Sequence, residues 1–246
     1  AANMPIYDTH EHLWHEDVRL KKAIDFFLLF SIYTNSDLVT AGMTPKEVQS
    51  LQNPKIPLEN RWKMFSPYWP YTRTTGYGRC MLIAARDLFG IDDIHKGTYK
   101  TLSERITAAN QPGWYHTVLK DKANIEISIQ DDLISTSGQT LKLDKRFFKT
   151  VTRFDYLVTA KNKNDLSHIE KVTGISINKL ADLELALEKA FSDRLKEGMV
   201  GIKSGLAYRR PIYYQNVPRS EADSAFEHVF VSSSRGNPDP ATKRKL

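Results

Sequence analysis

His10 and His12, set one residue apart in Asp8-Thr9-His10-Glu11-His12, are the side chains of this sequence with the plainest capacity for chemistry. Alternate residues of a β-strand point to the same side, so both imidazoles can face one space while Glu11 faces away. Neutral imidazole ligates zinc, iron, nickel or manganese, and a catalytic ion draws ligands from several elements while keeping one position open. The short apolar run from Met4 to Thr9 reads as a strand that delivers the pair to its C-terminal end. A pair of hydrogen-bonded strand-end histidines without metal fits the same spacing.

The elements that must position this pair follow from periodicity. From Asp17 to Arg73 the chain is helical in character, broken at Pro45, Asn53-Pro54 and Pro57 and rich in aromatics from Trp62 to Tyr71, and it reads as an insertion over 17–73. Those aromatics suit either a lid or the packing of inserted helices. Gly76 to Gly90 reads as an amphipathic helix, and Tyr99 to Leu119 as a helical stretch interrupted at Gln111-Pro112-Gly113. Asn124–Ile129, Val151–Val158 and Met199–Lys203 are the further strand candidates, with a helix from Leu180 to Lys196 ended by Gly198. A last helix follows a capping-box pattern at Ser220 and Asp223 and carries Phe226, Val229 and Phe230 on its apolar face. Strands alternating with helices imply βα units, a parallel sheet and an α/β fold, read as one domain over 1–246.

Composition narrows the function classes. With 246 residues, 41% hydrophobic and 26% charged, the chain can bury a core, and no apolar run reaches the length of a membrane span. The single cysteine, Cys80, excludes an internal disulfide and a thiolate zinc site. The net charge of +6 is spread among acids, Lys243-Arg244-Lys245 being the basic run, so no nucleic-acid partner is expected. His95, His116, His168 and His228 lack metal spacing and read as surface residues, and His15 as a loop residue. A cytoplasmic location is expected, with room for a leader removed ahead of Ala1.

The segment Tyr7-Asp8-Thr9-His10-Glu11-His12-Leu13 resembles the first-strand metal motif of the amidohydrolase superfamily, and Ser36–Gly42, Leu58–Asp93, Ala108–Leu119 and Gly198–Phe226 resemble its amidohydrolase-related branch. That resemblance implies a distorted (β/α)8 TIM-barrel-like fold with a long helical insertion after strand 1. It implies His10 and His12 as ligands of a divalent metal, zinc foremost, with manganese, iron or nickel as alternatives. Further ligands would come from a lysine on the fourth strand, histidines on the fifth and sixth, and an aspartate on the eighth. Here the fourth-strand lysine matches Lys203, in Gly201-Ile202-Lys203-Ser204, as a catalytic residue that is carboxylated in binuclear relatives. A solvated strand-end lysine is the plainer reading of the same position.

Asp131, after the second strand, is a second catalytic candidate, and Arg153, beside Asp155 on the third, a substrate-binding one, because barrel enzymes place polar site residues at strand ends. Asp131-Asp132 could equally cap a turn, and Arg153 pair with Asp155. Arg209 and Arg210 are substrate-binding candidates: one guanidinium facing the site could clamp a substrate carboxylate in bidentate fashion, while the other would make a structural salt bridge. The strand count reaches four near Lys203, so the chain is expected to cover only the first half of a barrel and to be a fragment of a longer product. The resemblance implies a metal-dependent hydrolase acting on a C–N or C–O bond of a small, carboxylated substrate, with a uronate-isomerase-like sugar-acid isomerase as the alternative enzyme. From a different class comes a non-catalytic half-barrel acting as a binding or oligomerisation module; an uncovered sheet edge also makes a homo-oligomer the expected assembly.

Overall fold

Four β-branched runs form the strands of the computed structural model, which describes residues 4–29, 33–132, 144–232 and 240–243. They are β1 (Ile6–Glu11), β2 (Ile125–Asp132), β3 (Phe148–Arg153) and β4 (Met199–Lys203), hydrogen-bonded in the order β1-β2-β3-β4 with every pair parallel. Segments expected as a terminal loop at Ser233–Asp239, and Arg244 with Lys245 of the basic run, lie outside the described residues. The chain divides into two units, Ala1–Leu13 with Asn124–Leu246, and Trp14–Ala123.

β4 has the expected bounds, whereas β3 stops at Arg153 and gives way to a helical turn at Asp155–Val158. Phe154 and Leu157, three residues apart, both bury in one core, and that helical spacing is incompatible with continuing the strand through Val158. In β4, Met199 and Gly201 pair with adjacent residues of β3, Thr150 and Val151, so Val200 is an extra residue at a bulge. Side chains beyond a bulge change face: Met199 packs in the helix-covered core, while Lys203 emerges on the other side, paired through its Cα with Arg153.

The unit Trp14–Ala123 is helical. Its longer helices are α1 (Pro45–Leu51), α2 (Leu58–Phe65), α3 (Gly76–Phe89) and α4 (Tyr99–Ala109). Thr44 and Glu47 close a capping box at α1, and Gly90, left-handed at φ 62°, ends α3 as its position after the last apolar residue demands. Phe26, Trp62, Phe65, Trp69, Met81, Phe89, Tyr99 and Leu102 share one core. Trp62 stacks on Tyr99 with centroids 4.4 Å apart, and the buried Trp69 indole donates to the Ile94 carbonyl at 2.9 Å. The aromatics Trp62, Phe65 and Trp69 are therefore packing residues, as one of their two readings had it. The unit also runs past the insertion bounds of 17–73, because α3 and α4 bury their apolar faces in this same core. Helix periodicity marks which face is buried and not what buries it.

Gly78, in the first turn of α3, has room for no side chain: a Cβ there would lie 2.0 Å from the Thr72 carbonyl oxygen and 2.8 Å from Arg73 Cα. Both obstacles are backbone. Gly78→Ala is expected to destabilise this unit by about 3 kcal/mol, read as a lowered urea midpoint.

Helices α5 (Lys163–Thr173), α6 (Leu180–Glu197) and α7 (Arg219–Phe226) belong to the sheet-bearing unit. Ile169, Leu180, Ala186, Ala190, Phe226, Val229 and Phe230 pack with Met199 and Leu157. Gly198, at φ 103°, ends α6 and turns the chain into β4, as the sequence implies. α7 starts after Pro218 with no side-chain cap, so the capping box read at Ser220 does not form. Among the described residues no helix is long and apolar enough to cross a membrane.

Candidate metal centre

β1 brings His10 to its penultimate position and releases His12 just past its end. The buried Gln130 of β2 fixes that exit: its amide donates to the Glu11 carbonyl at 3.2 Å and its oxygen accepts from Leu13 N–H at 3.2 Å. Asp8 accepts from His10 N–H at 3.2 Å and from the fully buried Ser128 hydroxyl at 3.1 Å, so both neighbours of the pair are tied to β2. Gln130 escaped the sequence reading, although a polar residue inside Ile127-Ser128-Ile129-Gln130 is the signal that could have revealed it. The two imidazoles meet edge to face, centroids 4.6 Å apart at 88°.

Asp131 joins them. Its carboxylate is fully buried, and Arg153 of β3 grips it with two parallel bonds, Nε to Oδ1 at 3.0 Å and Nη2 to Oδ2 at 2.5 Å. His12 Nε2 stands 3.8 Å from Asp131 Oδ2, outside hydrogen-bonding range and inside Coulombic range. From the far edge of the sheet Lys203 reaches to 3.5 Å from His10 Nδ1. A flat sheet would put β1 and β4 about 14 Å apart, three strand spacings, so this approach reflects a sheet curled as a barrel wall is.

Among the described residues, His10, His12 and Asp131 are the group of three or more His, Cys, Asp or Glu able to converge on one ion, with ligand atoms all within 4.8 Å of one another. Two imidazoles and a carboxylate are a donor set that suits a divalent cation with open positions. Burial holds the His12 pKa below its usual 6.5, aided by His10, Arg153 and Lys203 and opposed by Asp131, which favours the neutral, ligating imidazole. Glu11 points elsewhere: burial and a hydrogen bond with Asp8 push its pKa up to about 7.

The other expected site residues separate into two places. Arg153 gives its fork to Asp131, so that edge is not open to a substrate, and among the described residues no hydrogen bond or ion pair joins it to Asp155, the partner its alternative reading offered. Asp155 instead accepts from Ser204 Oγ at 2.9 Å and Gly205 N–H at 2.6 Å, anchoring the turn that follows Lys203. Asp155→Ala is expected to cost about 2 kcal/mol and to speed exchange of the Gly205 amide. Arg209 and Arg210 line a groove with Tyr156 and His168, and none of His10, His12, Asp131 or Lys203 lines it. His15 lies 3.8 Å from Asp17. His95 accepts from Gly97 N–H at 3.0 Å and His116 lies 3.5 Å from Asp121, and both are exposed.

No protein-family model matches the chain, and no curated protein matches it. Among solved structures, a uronate isomerase from Thermotoga maritima superposes with a TM-score of 0.73 at 14% identity, over 99% of this chain and 54% of that one. A glucuronate isomerase from Caulobacter crescentus gives 0.70 at 14% identity, over 98% and 52%. The chain spans about half the length of these structures, and its four-stranded parallel sheet with helices has the fold of about half of a TIM-barrel-like α/β protein.

Proposed function

We propose that the chain supplies the first part of a divalent-metal site, and that the protein carrying it isomerises a sugar acid between its aldehyde and ketone forms. One observation carries this reading: His10, His12 and Asp131 converge at the C-terminal end of a curled parallel sheet whose fold neighbours are uronate isomerases. It replaces hydrolysis as the leading reading because both neighbours named above carry the isomerase name.

His10, His12 and Asp131 would hold the ion, which when bound supplies Lewis-acid polarisation of a substrate carbonyl. Zinc suits the donors, as do manganese, iron and nickel. Arg153 withdraws charge from the Asp131 carboxylate, which suits a ligand better than a base. Lys203, beside His10, offers an N–H donor to a substrate oxygen at the same mouth. Aldose–ketose exchange moves one hydrogen from C2 to C1 and one proton from O2 to O1; in the enediol route a base takes the C2 proton and returns it to C1, which lets solvent deuterium enter the product.

The same Lys203 favours a second reading, hydrolysis of a C–N or C–O bond, since a carboxylated lysine beside His10 would add one donor to a binuclear ligand set. Incubation of the metal-supplemented protein with a hexuronate in D2O separates the two. Ketose formation with deuterium entering the product, lost in His10→Ala/His12→Ala, is the expected result. An unchanged hexuronate beside cleavage of ester or amide substrates would reverse the order of the readings.

A further inference from the structure

A groove of about 440 Å³ opens between the segments that follow β3 and β4. Its lining includes three cations, Lys161, Arg209 and Arg210, and one acid, Asp165. That acid is already committed: its Oδ2 accepts from the Lys161 backbone N–H at 2.9 Å, at the start of α5. Many of the described arginines have carboxylate partners, as Arg61 has Asp25, Arg153 has Asp131 and Arg219 has Glu184, while Arg105 donates to the Phe89 and Gly90 carbonyls. Among the described residues Arg210 has no carboxylate partner; it rests on the Tyr214 ring at 4.7 Å and donates to the Pro211 carbonyl at 3.3 Å. The Arg209 backbone N–H donates to the Leu206 carbonyl at 2.8 Å, and its guanidinium has no hydrogen-bond or ion-pair partner among the described residues.

The geometry points to a second ligand site in this groove, one that takes the oxyanion of a small organic molecule, a phosphate or a carboxylate. Arg209 and Arg210 both line the groove without carboxylate partners among the described residues, and guanidinium groups present planar donor edges that bind such oxyanions in pairs of bonds. The Tyr214 ring holds one of them in place, which reduces the side-chain entropy lost on binding. A volume of this order accommodates a sugar-sized molecule with room to spare over a bare ion. The site does not depend on the metal-centre reading, because the two share no lining residue.

Calorimetric titration with inorganic phosphate, a hexose phosphate and a hexuronate tests the site on three proteins: wild type, Arg209→Gln/Arg210→Gln, and His10→Ala/His12→Ala. The expected result is saturable binding of one of the sugar anions to wild type, weakened about tenfold or more in the arginine variant and retained in the histidine variant. Preference for the hexose phosphate assigns the oxyanion as phosphate, and preference for the hexuronate assigns it as carboxylate. Binding of none of the probes, binding unchanged in a folded arginine variant, or binding lost in the histidine variant would overturn the proposal.

Discussion

Arg153→Met is expected to lower the stability of the sheet-bearing unit by about 3 kcal/mol, measured in urea with a chelator present so that metal binding does not contribute. The physical reason is asymmetry. Asp131 is 0% exposed and Arg153 21% exposed, and the two hydrogen bonds between them are what offsets taking the carboxylate out of water. Removing the arginine leaves a buried charge whose remaining ion-pair partner among the described residues is His12, at 3.8 Å. Removing the charge as well changes the outcome: Asp131→Leu/Arg153→Met is expected to regain most of the loss, because apolar packing often replaces a buried ion pair at little cost. A double mutant no more stable than Arg153→Met would mean that the arginine acts through packing of its stem, not by neutralising Asp131.

The histidine pair was legible in the sequence because a two-residue strand period dictates which side chains share a face. The bounds of β4 were legible because Gly198 stops α6 and the run Met199–Lys203 has nowhere else to go. Lys203's approach to His10 was implied by family resemblance and not by spacing, since it requires a sheet that curls through four strands. The end of β3 was not legible: Val151, Arg153 and Asp155 alternate as a strand does, and only the packing of Phe154 with Leu157 ends it. Nor was the partner of Arg153, because Asp155 is near in sequence while Asp131 lies on the neighbouring strand, where register decides contact. The insertion's bounds were missed for a related reason, as α3 and α4 look alike whether they cover a sheet or each other.

Near-stoichiometric divalent metal in the purified protein, and none in His10→Ala/His12→Ala, is the largest effect expected of any substitution here. Loss of groups that merely orient ligands already weakens metal binding about 10- to 100-fold, so removing both imidazoles should weaken it by at least about 100-fold. What remains, Asp131 held in the Arg153 fork, is a single carboxylate with its charge partly countered. Lys203→Met sharpens the measurement, because its sign depends on what the lysine is. As an ammonium 3.5 Å from His10 Nδ1, Lys203 repels a bound cation and competes for the ring, and its removal should tighten metal binding about tenfold. As a carboxylated ligand it would contribute donors, and its removal should release metal. Tighter binding in Lys203→Met together with loss in the histidine variant supports the isomerase-like site with one ion, whereas loss in both supports the hydrolase-like binuclear one. Equal, negligible metal in all three proteins would leave the His10–His12 pair as strand-end residues.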